Sequence, residues 1–171
     1  MDNVTKVSEY ILACRNMGIG ILPPDINEGV SGFSVSGNSI RYGLSAIKSV
    51  GRAVVDVIIS ERETGGPFST LEDFVSRMSN REVNKRTLES FIKSGSLDSL
   101  PGTRKQKLYV SSELLENKAR EKKTVMEGQM SFFDIAPEED KGNFQVSFPD
   151  VGEFDKETLL AFEKETLGIY V

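Results

Sequence analysis

Val4, Val7, Ile11 and Leu12 recur at helical spacing behind Asn3, and the pattern runs out at Gly18, which predicts a first helix. Pro23-Pro24 forbids helix and holds Leu22 extended, so Ile19 to Asn27 reads as an ordered connector across a surface. Apolar and polar positions alternate in Phe33-Ser34-Val35 and Ile40-Arg41-Tyr42 around Gly37-Asn38, the pattern of a small β-hairpin. From Tyr42 to Ile58 the spacing predicts two helices joined by a tight turn. Gly51 offers that turn a positive φ, and Ala53, Val54, Val57 and Ile58 define the buried side of the second helix, which fades near Gly65-Gly66-Pro67.

Ser69 or Thr70 then caps a short helix carrying Leu71, Phe74 and Val75. Asn84 opens another, in which Leu88, Phe91 and Ile92 form one stripe, Lys85, Arg86 and Lys93 lie off it, and Gly95 supplies the stop. A long helix follows from about Thr103 to Met126, anchored by Leu108, Leu114 and Leu115, with its polar last turns, Asn117 to Lys123, directed into solvent. Residues 128–152 carry no sustained periodicity and few long apolar side chains other than Phe, which predicts an exposed connector, poorly ordered over much of its length. Asp155 caps a last helix, Glu157 to Leu167, and Gly168 terminates it. The chain then stops on apolar Ile169-Tyr170-Val171, as a chain cut from something longer would. The expected fold class is mainly α: a tandem helix-hairpin-helix domain with a small β-hairpin and a partly disordered acidic connector.

The turn at Lys48, Ser49, Val50, Gly51 and Arg52 is the chemically informative element. A helix starting at such a turn has N–H groups without intrahelical acceptors, and with the helix dipole these form a seat for an anion. Lys48 and Arg52 add charge where a nucleic-acid phosphate would sit. Ser49 stands where the usual helix-hairpin-helix pattern has a first glycine, but serine can turn and its hydroxyl can bond phosphate. An ordinary corner with two solvated cations is the plain alternative. Asn84 to Leu115 reads as a second, degenerate copy of the motif.

The charge distribution sharpens this picture. The chain of 171 residues has a net charge of -5, yet Arg77 to Lys123 holds twelve Lys/Arg against six Asp/Glu, and Glu127 to Glu165 three against eleven. A basic middle and an acidic tail face different partners. With no His and only Cys14, neither a disulfide framework nor a Cys/His zinc site can form within the chain. No apolar run approaches a membrane span and no secretory signal opens the chain, which points to no membrane partner and a cytoplasmic protein.

Within the connector stands Gln129, Met130, Ser131, Phe132 and Phe133. Two Phe in a polar segment read as a peptide ligand for a partner pocket, since burying a Phe contributes about 1.5–3 kcal/mol. The alternative is that both rings fold back onto the parent domain. The run Glu138-Glu139-Asp140 reads as solvated charge rather than a metal site. No catalytic residue and no metal ligand is assigned.

Several segments together carry a family resemblance: Glu9-Tyr10-Ile11 with Cys14-Arg15 and Gly18, Leu22-Pro23-Pro24-Asp25-Ile26-Asn27, Ile40-Arg41-Tyr42-Gly43-Leu44 with Ala46-Ile47-Lys48 and Val50-Gly51, and Gly66-Pro67-Phe68. Val83-Asn84-Lys85-Arg86, Leu88-Glu89, Ile92-Lys93-Ser94-Gly95, Leu97-Asp98 and Glu163 to Tyr170 continue it. On these the chain resembles, over nearly its whole length, part of the bacterial DNA polymerase III alpha subunit, the family C replicative polymerase. The resemblance implies that residues 1–43 close the fingers domain, that 44–127 form a tandem helix-hairpin-helix domain gripping the backbone of duplex DNA, that 128–152 connect, and that 153–171 lead to a missing oligonucleotide-binding (OB-fold) domain. It also implies that Gln129 to Phe133 is a sliding-clamp-binding pentapeptide, with Met130 for the usual Leu and Phe132 for a Leu. The polymerase's catalytic aspartates, and the magnesium the parent would use, belong upstream, so this piece needs no cofactor and binds without catalysing. Its partners would be duplex DNA, the sliding clamp and the rest of the alpha subunit. Two rivals from other classes are a protein-interaction adaptor with purely structural hairpins and a nuclease with an unrecognised carboxylate pair.

Overall fold

The computed structural model describes residues 3–78, 82–126 and 146–171. It is mainly helical, with α1 (Asn3–Asn16), α2 (Arg52–Gly65), α3 (Leu71–Arg77), α4 (Lys85–Lys93), α5 (Arg104–Met126) and α6 (Lys156–Leu167), and three short strands, β1 (Gly20–Leu22), β2 (Ser34–Ser36) and β3 (Ser39–Arg41). Local chemistry sets the helix ends. Thr70, Asn84 and Asp155 accept the backbone N–H of Asp73, Thr87 and Thr158, the residue three ahead in each case, and Gly95 and Gly168 stop α4 and α6 at φ 81° and 76°. Inside, the rings of Phe68, Phe74 and Phe91 meet edge to face at centroid distances of 5.1 and 5.7 Å. Leu71, Leu88, Ile58 and Ile92, wholly buried, belong to the same core, which Leu167 and Ile169 join from the far end of the chain.

The structure corrects the sequence expectations first in the strands, the corner and α2. The hairpin forms, β2 antiparallel to β3 with Val35 opposite Ile40, but Gly20–Leu22, read as connector, adds a third strand parallel to β3, Ile21 opposite Ile40. Three residues are too few to display alternation, and Pro23, lacking an N–H, ends the strand. The first helix of the corner is only a 3₁₀ turn, Leu44–Ala46. Leu44, Ile47 and Val50, all buried, lie three apart, the period of a 3₁₀ and not an α repeat. Gly43 lies so close to the backbone of Ser31 and Gly32 that a Cβ would stand 2.6 Å from a carbonyl carbon, and Leu44 and Ser45 donate to the carbonyls of Val30 and Ser31. That pairing holds the segment beside residues 30–32. Lastly, the buried side of α2 centres on Val55 and Ile58, with Val54 and Val57 half-buried, whereas Ala53 is exposed.

The end of the expected connector packs. The Val146 N–H donates to Glu72 Oε1 at 2.8 Å, and the Phe148 ring packs so closely on Gly102 that a Cβ there would stand 2.8 Å from it. Gln129 to Phe133 lies outside the described residues. On α5, residues 119–123 stand in solvent as expected, but Lys118 turns back and donates to the carbonyl of Val75.

Candidate nucleic-acid interface

The first corner runs from Ile47 to Arg52. Val50 donates to the Ile47 carbonyl at 3.2 Å, closing the turn, and buries its side chain as the anchor. The positive φ predicted for Gly51 belongs instead to Ser49, at 68°, while Gly51 is extended (φ -78°, ψ 152°) as the N-cap of α2. A non-glycine residue in this region is uncommon and costs roughly 1–2 kcal/mol. The first hydrogen bonds of α2 run from Val54 and Val55 to the Gly51 carbonyl at 3.1 and 3.3 Å, and no side chain caps the helix. The N–H groups of Ser49, Gly51, Arg52 and Ala53 therefore have no protein acceptor among the described residues, and all four residues are exposed. Lys48 and Arg52 are exposed too, without an ion pair among the described residues.

Two elements fix this corner from behind. The Lys48 N–H donates to the Thr166 carbonyl of α6 at 2.8 Å, and the Thr87 hydroxyl of α4 donates to the Ser49 carbonyl at 3.5 Å. A rigid turn presenting amides and cations to solvent can hold an anion such as a backbone phosphate without reading sequence.

The second corner, between α4 and α5, has the architecture expected of it but a different surface. Thr103 and Gln106 cap each other reciprocally, the Gln106 N–H to Thr103 Oγ1 and the Thr103 N–H to Gln106 Oε1. The next two amides, of Arg104 and Lys105, donate to the Glu153 carboxylate at 2.9 and 3.1 Å. Burial would push the Glu153 carboxyl up, but the N–H groups of Phe154, Arg104 and Lys105 outweigh it and hold its pKa below the ordinary value. The seat for an anion is thus filled by the chain's own carboxylate.

Two cations of this corner, Arg104 and Lys107, are buried. The Arg104 guanidinium pairs with Asp98 at 2.7 Å and Glu163 at 3.3 Å; burial disfavours its charge, yet these partners leave its pKa raised. Lys107 is wholly buried, and its ammonium donates to the carbonyls of Leu97 and Leu100 at 2.7 and 2.9 Å; burial lowers its pKa.

The five residues singled out in sequence, Lys48 to Arg52, lie on one turn, and the structure sets beside them Arg86 and Lys93, which the sequence placed only off the apolar stripe of their helix. Both line a cleft of about 120 Å³ with Lys48, Ser49 and Glu165. Their spacing, seven residues or two turns of one helix face, was the available signal. Glu153 gave none, lying far along the chain from the amides it caps. Among the described residues no group of three or more His, Cys, Asp or Glu could hold a metal ion, and no helix is long and apolar enough to cross a membrane.

Residues 18–107 match the family model described as the helix-hairpin-helix motif, a span that includes both corners. The chain is 40% identical over 171 residues to the DNA polymerase III subunit alpha of Borreliella burgdorferi, covering 100% of this chain and 15% of that protein. Its counterpart from Thermus aquaticus is 40% identical over 166 residues, 97% of this chain and 13% of the relative. The Mycobacterium leprae protein is 36% identical over 170 residues, 99% and 14%. The chain thus spans about a seventh of the length of the curated relatives it matches.

Proposed function

We propose, from the premise that the chain belongs to the helix-hairpin-helix family and is similar along its whole length to a segment of DNA polymerase III alpha subunits, that it binds the backbone of duplex DNA and positions it for a replicative polymerase. The observation that carries this reading is the first corner, where the amides of Ser49, Gly51, Arg52 and Ala53 face solvent uncapped beside Lys48 and Arg52. Phosphate contacts of this kind hold DNA without sequence preference, as a polymerase that copies any template needs. The chain supplies binding. Polymerisation, a DNA-directed nucleotidyl transfer using magnesium, belongs to parts of the parent protein outside it, in the cytoplasm.

A second contact belongs to the same reading. Gln129, Met130, Ser131, Phe132 and Phe133 would dock as a peptide in a pocket of the sliding clamp, adding processivity to the grip on DNA. Titration of a labelled duplex at several salt concentrations tests the DNA contact. The affinity should fall as salt rises, and replacing both Lys48 and Arg52 by Glu should remove most of it. Salt-independent affinity, or unchanged binding by the double variant, contradicts the reading.

A further inference from the structure

The corner does not end at Arg52. Its Lys48 side opens into the cleft of about 120 Å³, whose lining includes Lys48, Ser49, Arg86, Glu89, Lys93 and Glu165 from the corner, α4 and α6. Three cations face two carboxylates, and they are not equivalent. Lys93 is engaged, its ammonium 3.3 Å from Glu165 and 5.1 Å from the centre of the Phe162 ring. Lys48 and Arg86 are exposed and have no ion pair among the described residues. Their separation is set by packing, because Thr87, the residue after Arg86, donates to the carbonyl of Ser49, the residue after Lys48. Two unpaired cations at a fixed spacing, beside a row of open amides, suit one oxyanion with charge spread over several oxygens; a guanidinium adds a planar fork that matches phosphate.

We infer that this cleft is a second phosphate seat, in which Arg86 and Lys48 take the phosphodiester next to the one on the corner amides, while Glu89 and Glu165 hold its affinity down. The inference rests on the reading of the corner as a DNA-backbone site. It makes Arg86, which lies on the first helix of the second hairpin, a contact for DNA held by the first. One strand is then gripped at two consecutive points by elements far apart in sequence.

The test measures duplex affinity and its salt slope for the full chain and four variants, the Lys48 and Arg52 double variant among them. R86Q should weaken binding several-fold and reduce the slope by about one. K85Q removes the same charge from the neighbouring residue, which lines a different groove with Leu115 and Ala119, and should leave the slope as it was. E165Q should tighten binding. Arg86 is exposed, so R86Q should melt as the unsubstituted chain does. Equal effects of R86Q and K85Q, while the Lys48 and Arg52 double variant still loses DNA, would overturn the cleft and leave the corner standing. No binding by the unsubstituted chain would overturn both. Excess nucleoside triphosphate should not displace the duplex; displacement that disappears in R86Q would assign the cleft to a free phosphate ligand and overturn the inference.

Discussion

The Glu153 carboxylate accepts the backbone N–H of Arg104 at 2.9 Å, placing a negative charge of the chain's own at the start of α5. The start of α2 has no such guest, and its amides face solvent. Two corners of related architecture are thereby divided: one is closed by an internal anion and serves packing, the other is open to an external one. Arg104 and Lys107, basic residues of the closed corner, are spent on Asp98, Glu163 and the carbonyls of the turn, so these two charges do not reach the surface.

Removing the internal anion should cost stability and leave DNA binding little changed. E153A is expected to lower unfolding free energy by about 1 kcal/mol, as loss of a helix cap does. Because the folded pKa of Glu153 lies below its ordinary value of 4.5, its contribution is fully present above that value and is lost as pH falls through the lowered one. Urea midpoints measured from neutrality into the acid range should therefore converge for E153A and the unsubstituted chain.

Lys107 is a wholly buried cation with two backbone carbonyls as partners. K107M keeps the length of the side chain but strips the carbonyls of Leu97 and Leu100 of their donor inside the core. The expected loss is about 2–3 kcal/mol, read as a lower denaturant midpoint at unchanged slope. K105M, on a half-buried neighbour whose side chain lies over the Phe154 ring, should cost far less.

Ser49 holds a left-handed conformation that glycine adopts freely. S49G should raise stability by up to about 1 kcal/mol, and S49V should lower it, since a β-branched side chain tolerates this backbone least. Thermal unfolding of the two variants reads the sign directly.

For the clamp peptide, the measurement is retention of purified sliding clamp on immobilised chain. Replacing Phe132 and Phe133 by Ala should abolish retention while duplex affinity stays unchanged. Equal retention by both proteins would remove the clamp contact and leave the DNA contact standing.

Much of this architecture is legible in the sequence because its signals are local. Thr70, Asn84 and Asp155 announce helix starts and Gly95 and Gly168 announce stops from their own side chains or lack of one. The five residues of the first corner are legible for the same reason. What stays hidden depends on tertiary partners. The three-residue β1 exists because β3 pairs with it, Leu44–Ala46 tightens because residues 30–32 run alongside, and the strained φ falls on Ser49 rather than Gly51 because Val50 and α6 fix the turn between them. Lys107 carries no local signal of burial, because its partners are carbonyls of the turn ahead of α5.

The central claim is that the open amides of the first corner, and not the capped ones of the second, receive the phosphates of duplex DNA. Nitrogen–proton correlation spectra recorded while a short duplex is added test it residue by residue. The amides of Ser49, Gly51, Arg52 and Ala53 should shift progressively and saturate together, while those of Arg104 and Lys105, held by Glu153, should stay in place. Shifts centred on Arg104 and Lys105, with the corner from Ser49 to Ala53 unmoved at saturation, would contradict it.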